Sequence, residues 1–216
     1  MKAKLLLFAA PLALAGFTPA HATVTFLDQT LNNGTVLENV LIANDQTSHT
    51  VTGQTNQTHA TVYFNSVPDT LVTTASGQAV ISAADSLLNA VTISLAPGYG
   101  FTNIEFNLQN ASTPESVRVT AVTNLGTYFS DYPFSSNGAN WVGAASAGEY
   151  FTSISWATTP STAGFASMKQ IRLGGVAAVP ELGTWAMMLL GLGGIGWALR
   201  RKRHEVAKTT ARISFA

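Results

Sequence analysis

Two histidines and four carboxylates are the side chains of the long middle segment best suited to chemistry. His49 and His59 lie in a Thr/Gln/Asn-rich stretch, 45–60, that reads as a loop or hairpin, with Asp45 nearby as a third ligand type. A metal centre needs ligands that converge, and this spacing matches no ligand motif. The histidines read as exposed loop residues; no metal and no other cofactor is expected. Glu105, Glu115, Asp131 and Glu149 are the acids from which a glycosidase would draw its acid and its base or nucleophile. Each falls on an alternating run or beside a turn, where carboxylates usually sit on a solvated face. No serine occupies a G-x-S-x-G elbow. The chain has no cysteine, which removes thiolate nucleophiles and thiolate zinc sites. No catalytic residue is assigned, and the chain is expected not to be an enzyme.

Aromatic residues offer a different chemistry. Tyr128, Phe129, Tyr132, Phe134 and Trp141 gather around Asp131-Tyr132-Pro133, which reads as a loop. Aromatic faces flanked by amides and carboxylates suit the apolar face of a sugar. Tyr128, Tyr132 and Trp141 are therefore the candidate glycan-binding residues, and ordinary core packing is the competing reading.

The elements that would position these residues are short strands. Residues 91–95 and 104–108 alternate apolar and polar, a period of two that puts one face in a core and the other in water. Further strands are expected at 24–27, 36–42, 61–64, 80–82, 117–120, 128–130, 154–156 and 169–173. Turn signals separate them at Asn32-Asn33-Gly34, Pro68-Asp69, Pro97-Gly98, Thr113-Pro114, Asn137-Gly138 and Ala147-Gly148. One helical turn is expected at 83–89 with Ser82 as its cap, a loop at 157–166, and a linker at 176–178. Many short strands at this spacing predict an all-β fold, an antiparallel β-sandwich of jelly-roll type, as one domain over 23–178.

The zero formal net charge of the whole chain hides an asymmetry. Between residues 23 and 178 the strong bases are Arg118, Lys169 and Arg172, against nine acids. An acidic domain has no basic patch for phosphates, so nucleic acid is excluded as a partner.

The bases are concentrated at the two ends. Lys2 and Lys4 precede an apolar run over 5–17, and Ala20-His21-Ala22 presents small residues at both cleavage positions. Residues 1–22 read as a signal peptide cut after Ala22, with signal peptidase and the secretion machinery as partners. A second apolar run, 182–199, ends in Arg200, Arg201, Lys202 and Arg203. Its length is close to the roughly 20 residues of a spanning helix. Trp185 and Trp197 lie near its ends, as interfacial indoles do, and the four bases stop transfer and stay cytoplasmic. The expected orientation is therefore N-terminus out, with 204–216 as a cytoplasmic tail.

Val179-Pro180-Glu181, then Thr184-Trp185-Ala186, the apolar run and the basic cluster resemble the PEP-CTERM sorting signal, in its PEPxxWA subtype, over 179–203. Leu182 stands where that family usually has proline, and the 204–216 tail extends past its usual end. The resemblance implies an exosortase, a membrane protease-transpeptidase, cutting near Pro180 and Glu181, with this chain as its substrate. It also implies transient residence in the inner membrane, then delivery to the cell surface or an exopolysaccharide-rich matrix of the biofilm kind. A permanently anchored periplasmic protein and a carbohydrate-binding module are the alternative readings.

Overall fold

The computed structural model of the protein describes residues 23–31, 36–74, 76–112, 116–133, 139–179, 186–197 and 199. In the first half of the chain the strands are β1 (Thr23–Leu27), β2 (Leu37–Ile42), β3 (Thr47–Ser48), β4 (Thr50–Thr55), β5 (Thr61–Asn65), β6 (Leu71–Thr73), β7 (Gly77–Gln78), β8 (Val80–Ala83) and β9 (Ala90–Leu95). The second half contains β10 (Tyr99–Gly100), β11 (Asn103–Ser112), β12 (Ser116–Thr123), β13 (Thr127–Pro133), β14 (Ala139–Ala147), β15 (Phe151–Thr159), β16 (Gly164–Gly174) and β17 (Ala177–Ala178). A helix, α1, covers residues 186–197. The domain is all-β and antiparallel.

Two ladders share one strand. The first runs β1-β14-β11-β16 and continues through β8 and β6 to β3; the second runs β4-β5-β9-β15-β12-β13. The strand β2 pairs with β16 through residues 37–39 and with β4 through residues 40–42, so it joins the ladders along one side. From β11 onward the chain alternates between them: β12 and β13 lie in the second ladder, β14 in the first, β15 in the second and β16 in the first.

The period of two does the packing. Val91, Ile93 and Leu95 of β9 and Val117, Val119 and Ala121 of β12 are buried, while their neighbours are not fully so. Each of the valine, isoleucine and leucine side chains contributes about 1.5–3 kcal/mol when fully buried. The ladders meet through Trp156 of β15, which packs edge-on against Phe165 of β16 with ring centroids 5.6 Å apart. Its indole N–H donates to Met168 Sδ at 3.3 Å, so the buried indole keeps a partner.

The ten expected strands are all present within a few residues. Two long ones were not expected, β4 and β14. The loop expected at 157–166 shrinks to 160–163, because β15 continues to Thr159 and β16 begins at Gly164. No helical turn forms at 83–89: Ser82 lies in β8, and a turn closes with Ser86 N–H donating to Ala83 O at 2.9 Å. Asp131-Tyr132-Pro133 is not a loop but the end of β13. The Asn32-Asn33-Gly34, Thr113-Pro114 and Asn137-Gly138 turns include residues outside the described ones, as do Glu115 and Phe134.

The signal-peptide residues Ala20 and Ala22, the motif residues Pro180, Glu181, Thr184 and Trp185, and the cluster Arg200, Arg201, Lys202 and Arg203 also lie outside the described residues. Ala186 is the first described residue of α1, whose described side chains are exposed. Among the described residues no helix is long and apolar enough to cross a membrane.

Candidate functional site

The residues with reactive side chains do not converge. His49 precedes β4, with its Nδ1 3.2 Å from Ser66 O, whereas His59 lies in the turn beyond the other end of that strand. Asp45 is held separately, its N–H donating to Thr73 O at 3.0 Å. No group of three or more metal-ligating side chains forms among the described residues.

The carboxylates are tied individually into the fold. Glu105 is buried on β11, where Oε2 accepts the Leu31 N–H at 2.9 Å and Oε1 accepts Arg172 Nη1 at 2.6 Å. Two acids not singled out in the sequence do similar work. Glu38 accepts the N–H groups of Gln57 and Thr58 at 3.1 and 2.9 Å, closing the β4–β5 turn. Asp69 accepts those of Asn89 and Ala90 at 2.8 and 3.2 Å. A buried carboxylate is tolerated where donors surround it, and backbone amides are the donors a lysine-poor domain has available. Asp131 is exposed and bonded at both oxygens to Arg118, each contact 2.8 Å. The guanidinium holds the Asp131 carboxyl below its ordinary pKa and is itself shifted upward. It also lies over the Phe129 ring, 5.0 Å from the centroid.

The expected glycan surface does not assemble. Along β13 the side chains alternate, so Tyr128 and Tyr132 face inward while Phe129 and Asp131 face out. Tyr132 belongs to the buried core, and that burial pushes its phenol up to about 12. Tyr128 packs against the core, and hydrogen bonding to the Glu149 carboxylate raises its pKa first, burial second. Trp141 is on β14 in the other ladder, paired with Asn107 of β11. Tyr132 is thus buried, while Tyr128 and Trp141 are half-buried on strands of different ladders.

What the fold does assemble is the departure point of the chain. The expected linker at 176–178 is a strand: β17 pairs with β10, Tyr99 opposite Ala178 and Gly100 opposite Ala177. Beyond it, the Val179 N–H donates to Gly98 O at 2.7 Å. The backbone is thus held up to the residue before Pro180. Upstream, Gly175 adopts a φ of +62°, and a Cβ there would collide with the Thr102 hydroxyl, so glycine is required for the turn into β17. Val176 packs on the core. An open cleft of about 370 Å³ lies alongside, lined by Gly100, Thr102, Glu149, Tyr150, Ala177 and Val179. The Tyr150 ring sits over Gly100, where a Cβ would be 2.6 Å from Tyr150 Cδ2. Tyr150 is fixed in turn by Asn124, which exchanges two hydrogen bonds with its backbone. Glu149 is buried and accepts the Thr123 hydroxyl. Sequence reasoning missed this clamp because Ala177-Ala178 carries no alternation; the available signal was Pro97-Gly98 and Gly174-Gly175, two turns that bring the strands together.

Comparison with known protein families, with curated proteins and with solved structures returns no match.

Proposed function

We propose that this chain is a non-enzymatic exported protein of the cell envelope or extracellular matrix. In this reading it is a jelly-roll-like β-sandwich carried on a transient membrane anchor and released by exosortase-type cleavage near Pro180 and Glu181. Signal peptidase removes 1–22. The apolar run 182–199 spans the inner membrane, Arg200 to Arg203 hold its cytoplasmic end, and the freed domain resides among exopolysaccharides.

The observation that carries the reading is one of order along the chain. Among the described residues before α1, the last backbone hydrogen bond of an acidic domain is that of Val179, and Pro180-Glu181, the apolar run and the four bases follow in the sequence. Support for a non-enzymatic role comes from the carboxylates: Glu38, Asp69 and Glu105 are each committed to backbone donors and Asp131 to Arg118. The crossing of the chain between ladders from β11 to β16 supports the jelly-roll reading.

The test is the mature C-terminus, by intact-mass analysis of protein recovered from its native host. Release predicts a chain that begins at Thr23 and ends near Pro180 or Glu181. A chain still ending at Ala216 overturns release and leaves a permanently anchored periplasmic protein.

A further inference from the structure

We infer that the end of the β domain from which the chain departs is a membrane-contacting face, fitted to the interfacial region of a lipid bilayer; the inference rests on the reading of 182–199 as a membrane anchor. Strand registers place several segments at one end of the molecule. Thr23 pairs with Ala147, Leu37 with Gly174, and β10 with β17. Asn124 bonds to Tyr150, and Ala96 N–H donates to Thr61 O beside the β4–β5 turn. Both the first residue after the expected signal cleavage and the last before the sorting motif therefore emerge at this end.

The surface there sets exposed apolar side chains beside the exposed polar residues Asn56, Gln57, Thr58 and Asn124, with no exposed acid among the described residues. Val36, Tyr99 and Leu125 are 76%, 41% and 64% exposed, and Tyr150 and Val179 line the cleft between them. The two acids at this end, Glu38 and Glu149, are buried. Among the described residues the exposed acids lie elsewhere: Asp28, Asp45 and Asp85 beyond the opposite ends of β1, β2 and β8, and Asp131 near the opposite end of β13. Tyrosine favours the headgroup level of a bilayer, and apolar area buried there adds affinity. An anionic leaflet repels acidic groups only within a few Debye lengths of about 8 Å. The β16 strand, 11 residues long, spans about 35 Å. Standing on this end, the domain keeps Asp45 and Asp85 outside that range.

Chain length fixes which way the domain stands. Seven residue steps separate Val179 from 186, the first described residue of α1, an extended reach of at most about 24 Å. That is shorter than the domain, so the domain cannot stand inverted on its far end while α1 is inserted.

Because the chain has no cysteine, single-cysteine variants carry one label each. Leu125→Cys, Tyr99→Cys, the far-end Val67→Cys and the helix control Leu192→Cys are made in the chain from Thr23 to Ala216. Each is labelled with an environment-sensitive fluorophore and reconstituted into phosphatidylethanolamine–phosphatidylglycerol vesicles bearing spin-labelled lipids. The expected result is a blue shift and loss of emission to headgroup and shallow-acyl spin labels at 99 and 125, deep quenching at 192, and neither effect at 67. Quenching at 192 without any at 99 and 125 overturns the contact face and leaves the anchor standing. Equal quenching at 67 and 125 overturns the orientation. No quenching at 192 overturns the anchor, and the inference with it.

Discussion

Glu105 shows what a single residue in this protein does and why its role was hard to read. The alternation of 104–108 correctly sets it opposite Ile104 and Phe106, on the outer face of β11. Such a face suggests a solvated carboxylate or an exposed catalytic acid. The side chain is instead buried, because the 28–31 segment folds over that face and Leu31 reaches it from 74 residues away. No local pattern registers a contact of that range. The partnership makes a prediction. Glu105→Ala strands the Leu31 N–H and leaves the partly exposed Arg172 without its carboxylate, which costs about 3 kcal/mol. Glu105→Gln keeps an acceptor for Leu31 and is expected to cost less, about 1–2 kcal/mol. Urea denaturation checks this: both midpoints should fall with the slope unchanged, in that order. Equal midpoints for the wild type and Glu105→Ala would mean that the pair contributes nothing to the fold.

At the scale of elements, legibility followed the chemistry of the side chains. Strands with bulky alternating residues, such as β9, β11 and β12, were visible in the sequence because their period of two survives in the core. The β14 strand was not, since Ala139–Ala147 is built mainly from alanine, glycine and serine, which carry little β signal. The small residues have a reason. A Cβ on Gly143 would lie 2.9 Å from Gln29 O, so the covering segment needs a strand without bulk at that point. The β17 strand was invisible for the same want of pattern, and its docking depends on the turn before it. Gly175→Ala forces a side chain into a positive-φ position, at about 1–2 kcal/mol, and drives its Cβ into Thr102. The effect should be local, because the residue lies outside the buried core cluster. Hydrogen exchange is the appropriate measurement: the Val179 amide should lose protection in Gly175→Ala while amides of β9 and β12 keep theirs. Unchanged protection at Val179 would show that β17 docks without that turn.

At the scale of the whole molecule the buried core closes before the C-terminal apolar run, and this division sets what the proposed release would do to stability. Every residue of the buried core lies before position 174, and Val176 is the last side chain packed on it. The described side chains of α1 are exposed, so the domain gains no buried contact from them. Ending the chain after Val179 should therefore leave the urea midpoint of the domain where it is in the longer chain. Ending it after Gly174 removes Val176, the β10–β17 ladder and the Val179 hydrogen bond together, which lowers stability by about 2 kcal/mol. The same cut uncovers Gly100 and the Tyr150 ring, so that truncated form should also bind a hydrophobic dye more strongly than the first. The comparison bears on function because the processing site proposed near Pro180 and Glu181 would lie just beyond the boundary between these two outcomes. On the proposed reading, cleavage there would free the domain with its clamp intact, and the released protein would be as stable as the longer chain. A midpoint that falls when the chain is ended after Val179 would mean that residues beyond the clamp belong to the folded unit, and that cutting among them weakens the domain it delivers.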